Sequence, residues 1–391
     1  MPVGSMRRKV IDAATAAAVL LLALGLVFYG RDTSAAAAES IKLCLTVLLP
    51  SLFPFFVVSS LAVDTGLASL AGRALEKPMR LLFNVPGACA PAFALGLVGG
   101  YPVGAKTAIA LYQKGLCSKV QAQRLLAFCN NSGPAFILGA VGGIFGGTAG
   151  LLLYGSHILA SITVGVLFRG WGGKRRGTDA ALPRMRARTS VQETPLRLIP
   201  AFTRAVTGAF SSMLNICAFV IFFSVAIRLL CLTGILPGAA RGLAALLHID
   251  GDFMEKLLSG ALELTSGIYG LLSTGASLNA KLAAAAFMLG WAGVSVHCQV
   301  LNFIGESGLS CAPYLAGKML HGWFSALYVW LGAQLLPFDA QTGPAIKTQL
   351  SAMTSRSAGW YLIVSLLTAV GTWAVFALLP ALFPSCKARR R

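Results

Sequence analysis

The chain has 391 residues, 56% hydrophobic and only 12% charged, a composition that excludes an ordinary soluble domain. Charge-free runs at Leu43–Val63, Val206–Ala226 and Ser357–Cys386 are each about the length of a spanning helix, and their continuity excludes a transmembrane barrel, whose strands alternate with period two. The net charge of +19 collects in Arg7–Lys9, Arg169–Arg204 and Lys387–Arg391 without aromatic interleaving, which argues against nucleic acid and for the positive-inside pattern of a membrane protein.

In chain order, Val10–Tyr29 predicts a first helix. Its 18 uncharged residues from Ala13 to Gly30 exceed a usual signal core, so a retained helix is expected rather than a cleaved peptide. A second helix, Leu43–Val63, is bent by Pro50 and Pro54. Asp64–Arg80 reads as amphipathic. Leu81–Leu116 carries Pro86, Pro91, Pro102 and six glycines and predicts a re-entrant hairpin. Spans follow at Leu125–Phe145 and Gly150–Phe168. Beyond a basic linker the order recurs: a span at Val206–Ala226, a mixed segment to Lys256, a broken segment at Leu257–Ser273, and spans at Leu282–Phe303, Met319–Phe338 and Trp360–Phe383.

The expected fold is therefore all-α and polytopic, with about eight spanning helices and two broken hairpins. Its parts are an N-terminal helix and loop (1–40), a first repeat (41–168), a basic cytoplasmic linker (169–204), a second repeat (205–338) and a C-terminal helix with a basic tail (339–391). Gaps allowed, Ser60 falls opposite Ser224, Gly104 opposite Gly267, and Gly133 opposite Gly293. Each unit holds an odd number of full spans, so the second is inverted relative to the first. Most of the 32 Lys and Arg residues then face the cytoplasm, as do both termini.

Four interruptions carry the polar chemistry: Gly99–Lys106, Phe128–Phe136, Glu263–Gly270 and Gly290–Gln299. An unsatisfied backbone group is costly in hydrocarbon, so broken helices survive where protein or a wet cavity surrounds them. Paired breaks in two halves point to a transport site. Helix ends carry partial charge and can hold ions without a charged side chain. The candidate substrate contacts are Tyr101, Gly104, Lys106, Asn130, Asn131 and Ser132 in the first half. In the second they are Thr265, Ser266, Ser295, His297 and Gln299. The asparagines could instead only bridge neighbouring helices.

Glu263 lies in an apolar run with no basic residue, and an intramembrane carboxylate is a functional candidate by default. It is read either as a coupling group for H+ or Na+ or as a structural partner of Lys106. His157, His248 and His321 have no supporting partners in sequence. No metal site, cofactor or enzyme is expected: histidines at metal spacing, a Gly-x-Ser-x-Gly elbow and a phosphate-binding loop are all missing, and nine cysteines without a Cys-x-x-Cys pair read as small hydrophobes. The expected partners are a small anionic solute and the lipid bilayer, and a homo-oligomer is compatible with the composition.

Leu49-Pro-Ser-Leu-Phe-Pro54, Gly100-Tyr-Pro-Val-Gly-Ala105, Asn130-Asn-Ser-Gly-Pro134 and Ser295-Val-His-Cys-Gln299 resemble the YlbJ-type sporulation integral membrane proteins, which carry the nucleoside-recognition or Gate domain. The resemblance covers about Ile41 to Phe338. It implies a fold shared with concentrative nucleoside transporters, and a role in endospore formation at the outer forespore membrane. It also implies movement of dipicolinic acid, a small aromatic dicarboxylate. A nucleoside-type transporter, a sporulation scaffold acting through the basic linker and a membrane enzyme on lipid or peptidoglycan precursors are the competing readings.

Overall fold

A computed structural model describes residues 3–64, 75–172 and 198–335, and no strand occurs among them. The predicted span at Trp360–Phe383, most of the basic linker, the C-terminal tail and much of the amphipathic segment lie outside the described residues. Helix α1 (Val3–Phe28) touches the rest through Gly25, where a β-carbon would sit 3.2 Å from Leu229. Helix α2 (Gly30–Leu43) runs through a wide π-helical turn, Cys44–Leu48, into α3 (Leu49–Asp64), which holds Pro54 in its interior. Helices α4 (Glu76–Phe83) and α5 (Gly87–Gly99) meet at 91°. The bend is tied by Glu76, which pairs with Arg80 and accepts from the Gly87 amide. The first half is completed by α6 (Val103–Gln113), α7 (Lys119–Phe128), α8 (Phe136–Phe145) and α9 (Gly147–Leu167).

The second half opens with α10 (Leu198–Leu232), whose apolar run is long enough to cross a bilayer. It continues with α11 (Ile235–Leu247), α12 (Gly251–Leu262), α13 (Leu264–Gly270), α14 (Leu278–Trp291), α15 (Gly293–Ser307) and α16 (Ala312–Leu335). Among the described residues, Val10–Phe28, Gly147–Gly170, Ile199–Leu232 and Leu278–Ser307 have the length and hydropathy to span, with a fifth span if the bent α4–α5 pair counts as one. The interrupted segments are too short, piece by piece, to be counted by length. The molecule is thus an all-α polytopic membrane protein, as its composition demands.

Two apolar cores and a small cluster of Ala240, Ala244 and Met254 between α11 and α12 hold the described residues together. The larger joins α4–α9 with α13–α16, and the Phe83, Phe93 and Phe128 rings meet within it in tilted and edge-on pairs. The smaller packs α10 against the α2–α3 pair through Cys44, Phe56, Met213 and Ile216. Glycines set the closest approaches, as expected where no hydrophobic drive separates helix from lipid. A β-carbon on Gly317 of α16 would lie 2.2 Å from the Ala127 carbonyl oxygen of α7, and one on Gly290 would lie 2.6 Å from Gly322. Helix α16 is therefore wedged between the two halves. It begins at Ala312, several residues before the Met319 expected from hydropathy, because Lys318 lowers the apolar average without ending the helix.

Candidate functional site

The two halves build their breaks alike. In the first, α5 stops at Gly99 and Gly100 adopts φ +77°, ψ −177°, a region open to glycine, before Pro102, which has no amide to donate. Helix α7 ends at Phe128, and Cys129–Gly133 is irregular up to Pro134. In the second half, Glu263 (φ −142°, ψ 113°) separates α12 from α13, and Ala292 and Gly293, both at φ +79°, separate α14 from α15. A β-carbon on Gly133 would meet the Val98 carbonyl oxygen at 3.1 Å and the Gly100 amide nitrogen at 3.2 Å. One on Gly293 would meet the Leu262 carbonyl oxygen at 3.1 Å and the Leu264 nitrogen at 3.2 Å. Gly104 faces Gly96 across the first break and Gly267 faces Gly260 across the third, again with room for hydrogen only.

All four breaks border one cavity of about 50 Å³. Gly100, Tyr101, Ser132 and Gly133 wall it from the first half, and Glu263, Thr265, Ser295 and Gln299 from the second. Leu48, Ile216 and Val220 close it from the α2–α3 turn and α10. The starts of α8, α13 and α15 thus lie at one place, and the first turn of α6 follows directly from Tyr101. Neither α6, α15 nor the segment beginning at Ala135 carries a side-chain cap, whereas α13 does.

That cap is Glu263, 3% exposed. Its Oε1 accepts from the Thr265 amide at 3.0 Å, and its Oε2 accepts from the Ser266 amide at 2.7 Å and the Ser266 hydroxyl at 2.8 Å. Three donors and the positive end of α13 converge on the carboxylate. Lys106 is elsewhere: its Nζ donates to Ser212 Oγ at 2.9 Å and lies 5.9 Å from the Phe303 ring centroid. The ion pair weighed from the sequence is not formed.

Asn130, Asn131 and His297 do not border the cavity but form the buried layer behind it. Asn130 Nδ2 donates to the Tyr314 hydroxyl at 3.4 Å, and that hydroxyl lies 2.9 Å from His297 Nδ1. Asn131 Nδ2 donates to the Phe128 carbonyl at 3.0 Å, satisfying an orphan at the end of α7. The Ser132 amide donates to His157 Nε2 at 3.0 Å, and His321 Nε2 lies 3.0 Å from the His157 carbonyl. Those bonds assign the neutral tautomers: the proton is on Nδ1 in His157 and on Nε2 in His321. The two rings stack 4.3 Å apart.

Buried polar atoms are ordinarily paired. Here the Tyr101 hydroxyl, Asn130 Oδ1, Asn131 Oδ1, Ser132 Oγ, Ser295 Oγ and His297 Nε2 have no hydrogen-bond partner. Three of them, on Tyr101, Ser132 and Ser295, belong to residues that line the cavity.

Sequence reasoning missed Lys318 and Tyr314, and it found no partner for His157 or His321. Lys318 is fully buried, and its Nζ donates to the Asn130 carbonyl at 2.9 Å and lies 5.7 Å from the Tyr101 ring centroid. The signal was present as a lone cation, flanked by glycine, within six residues of an apolar run. The partners of Lys318 and His321 are more than 150 residues away, so no local pattern names them.

Residues 45–167, which supply the first two breaks, match the Gate family, described as nucleoside recognition. The chain is 31% identical over 379 residues to the sporulation integral membrane protein YlbJ of Bacillus subtilis (strain 168), an alignment covering 91% of this chain and 92% of that protein. No solved structure matches. Identity of that extent, together with the Gate match over the broken segments, places the chain in the family of YlbJ-type sporulation integral membrane proteins.

Proposed function

We propose that the protein is a secondary transporter used in sporulation, carrying a small anionic solute, dipicolinate, across the outer forespore membrane by alternating access. The observation that carries this reading is the meeting of four helix interruptions around one cavity between the two halves. Helix starts present amide donors and positive partial charge, the arrangement that holds carboxylates in broken-helix transporters. Glu263 supports it directly, since a carboxylate already occupies the start of α13. A ring with two carboxylates needs more than a cavity of about 50 Å³, which is room for a few waters, so binding must part the halves.

The paired glycine contacts support two Gate-like repeats, 41–168 and 205–338, related by inverted topology: Gly133 and Gly293 sit on their partner breaks in the same way. Glu263 is the coupling group for H+ or Na+ in this scheme, and the basic linker and both termini lie in the cytoplasm. In this scheme the protein works as a carrier.

A second reading is favoured by the uncharged wall of Tyr101, Ser132, Ser295 and Gln299, which suits a nucleoside as well as an anion. Uptake of labelled dipicolinate and labelled uridine into proteoliposomes decides between them. Accumulation of dipicolinate alone is expected, accumulation of uridine alone favours the second reading, and accumulation of neither sinks both.

A further inference from the structure

Lys318 is a buried basic residue whose side chain bonds only the Asn130 carbonyl and does not line the cavity. Its side chain is fully buried in α16, where Gly317 packs closely against Ala127 and Gly322 against Gly290 of α14. No carboxylate among the described residues forms an ion pair with it. The titratable groups within electrostatic reach are Cys129, His157, His297 and His321, with Tyr101 beneath its Nζ, and Glu263 is engaged with its own helix start. One carbonyl, that of Asn130, accepts from an ammonium that has three protons to give. Withdrawing a cation from water without a counter-charge is a standing cost, and charges kept at membrane depth against that cost line substrate or ion paths.

The position of this charge is specific. It sits at the end of α7, on the carbonyl that opens the second break, and beside the ring of Tyr101, which lines the cavity and whose hydroxyl has no partner. Ser132, two residues along from Asn130, places a second unpartnered hydroxyl on the same wall. Tyr101 thus lies against both the ammonium and the cavity.

We propose that Lys318 is the residue that neutralises the transported anion: when Tyr101 swings aside, the ammonium passes from the Asn130 carbonyl to a carboxylate of the bound solute. This rests on the anion-transport reading and adds to it the source of the counter-charge, which the cavity wall itself lacks.

The test is equilibrium binding of dipicolinate to the purified full-length protein, wild type, Lys318→Met and Lys318→Arg, with the thermal midpoint of each. Lys318→Met is expected to weaken dipicolinate binding by about tenfold or more, the scale of one lost charge-assisted hydrogen bond. Its Tm should stay level or rise, because an apolar isostere removes an uncompensated buried charge. Dipicolinate binding by Lys318→Met equal to wild type overturns the proposal alone. A loss of binding that comes with a Tm several degrees lower overturns it too, since that is the mark of a structural helix cap. If Lys318→Met does not fold, Lys318→Arg decides. Binding within about fivefold of wild type supports the charge role, and loss of binding at an unchanged Tm refutes it. Wild-type protein that ignores dipicolinate sinks this proposal together with the transport reading.

Discussion

Replacing Glu263 by Gln changes one atom of the cavity wall and tests how the third break is held. Each carboxylate oxygen now accepts from a backbone amide, Thr265 on one and Ser266 on the other, and the Ser266 hydroxyl adds a third bond. Glutamine has one acceptor oxygen. If that oxygen takes the Ser266 side, the Thr265 amide faces an NH2 group. If it takes the Thr265 side, the Ser266 amide is orphaned while its hydroxyl can turn and accept. Either way one buried donor loses its partner, at about 1–3 kcal/mol, a range that overlaps the ~0.5–2 kcal/mol of a lost helix cap. A destabilisation of about 2 kcal/mol corresponds to a Tm lower by several degrees for a domain of this size. Ser266→Ala, which removes only the hydroxyl bond, should cost about half as much. The assay is thermal unfolding of the purified protein in detergent, with proteoliposome uptake alongside. Glu263→Gln with a wild-type Tm would falsify the capping geometry. Uptake separates the two remaining roles: as a coupling group, Glu263 is needed for the response to an imposed H+ or Na+ gradient, so Gln should flatten that response. A purely structural Glu263 would lower uptake only in proportion to folded protein and leave the gradient response intact.

Gly104→Ala should prevent the first and second breaks from closing, because its β-carbon would sit 1.9 Å from the Cys129 carbonyl oxygen. Parting the backbones by over an ångström costs at least the ~1–3 kcal/mol of an overpacked core. Gly155→Ala, with nothing within 4 Å, is the matched control, and equal Tm values for the two would refute the packing argument. Ser132→Ala and Ser295→Ala remove hydroxyls that bond to nothing in the protein, so Tm should move by no more than about 0.5 kcal/mol in equivalent stability. The KM for dipicolinate should nevertheless rise about tenfold in each if the hydroxyls meet the solute; unchanged KM values would remove them from the site. Arg124→Met should lower Tm without altering dipicolinate affinity, since its guanidinium holds the Trp171 and Asn84 carbonyls away from the cavity. A selective loss of affinity would contradict that assignment. Cysteines placed at Arg176 and Lys387 in a cysteine-free background should react with an impermeant maleimide only in inside-out vesicles, and labelling of intact cells would reverse the proposed orientation.

The breaks could be read from sequence because their cause is local. Gly100 next to Pro102, and Gly133 next to Pro134, forbid a continuous helix whatever surrounds them. Gly104, Gly133, Gly267 and Gly293 stand out for a related reason: a position where a β-carbon would strike backbone favours glycine. Glu263 drew attention as a charge in hydrocarbon, but its partner could not be guessed. An opposite charge is the partner a sequence can offer, whereas the fold supplies two backbone amides and a serine hydroxyl a few residues ahead. Helix ends satisfy carboxylates as well as lysines do, and they have no letter in the sequence.

Lys318 failed to register for a related reason. Hydropathy treats a cation as the end of a span, so the predicted helix was drawn from Met319 and the lysine fell outside it. Burial of that residue is decided by Gly317 against Ala127 and by the Asn130 carbonyl, contacts that span both halves of the chain. The His157–His321 ring contact joins the same α16 to α9. Local rules thus locate where helices must break, while the charges inside the breaks are placed by long-range packing. The polar groups at and behind the cavity belong to neither half alone: Asn130, Ser132 and His157 come from the first half, and His297, Tyr314, Lys318 and His321 from the second. A motion that separates the halves must therefore break the Lys318–Asn130 bond and can leave the Ser132–His157 bond intact, because the first crosses the interface and the second lies within the first half. The cross-interface bond is the one an entering anion can replace.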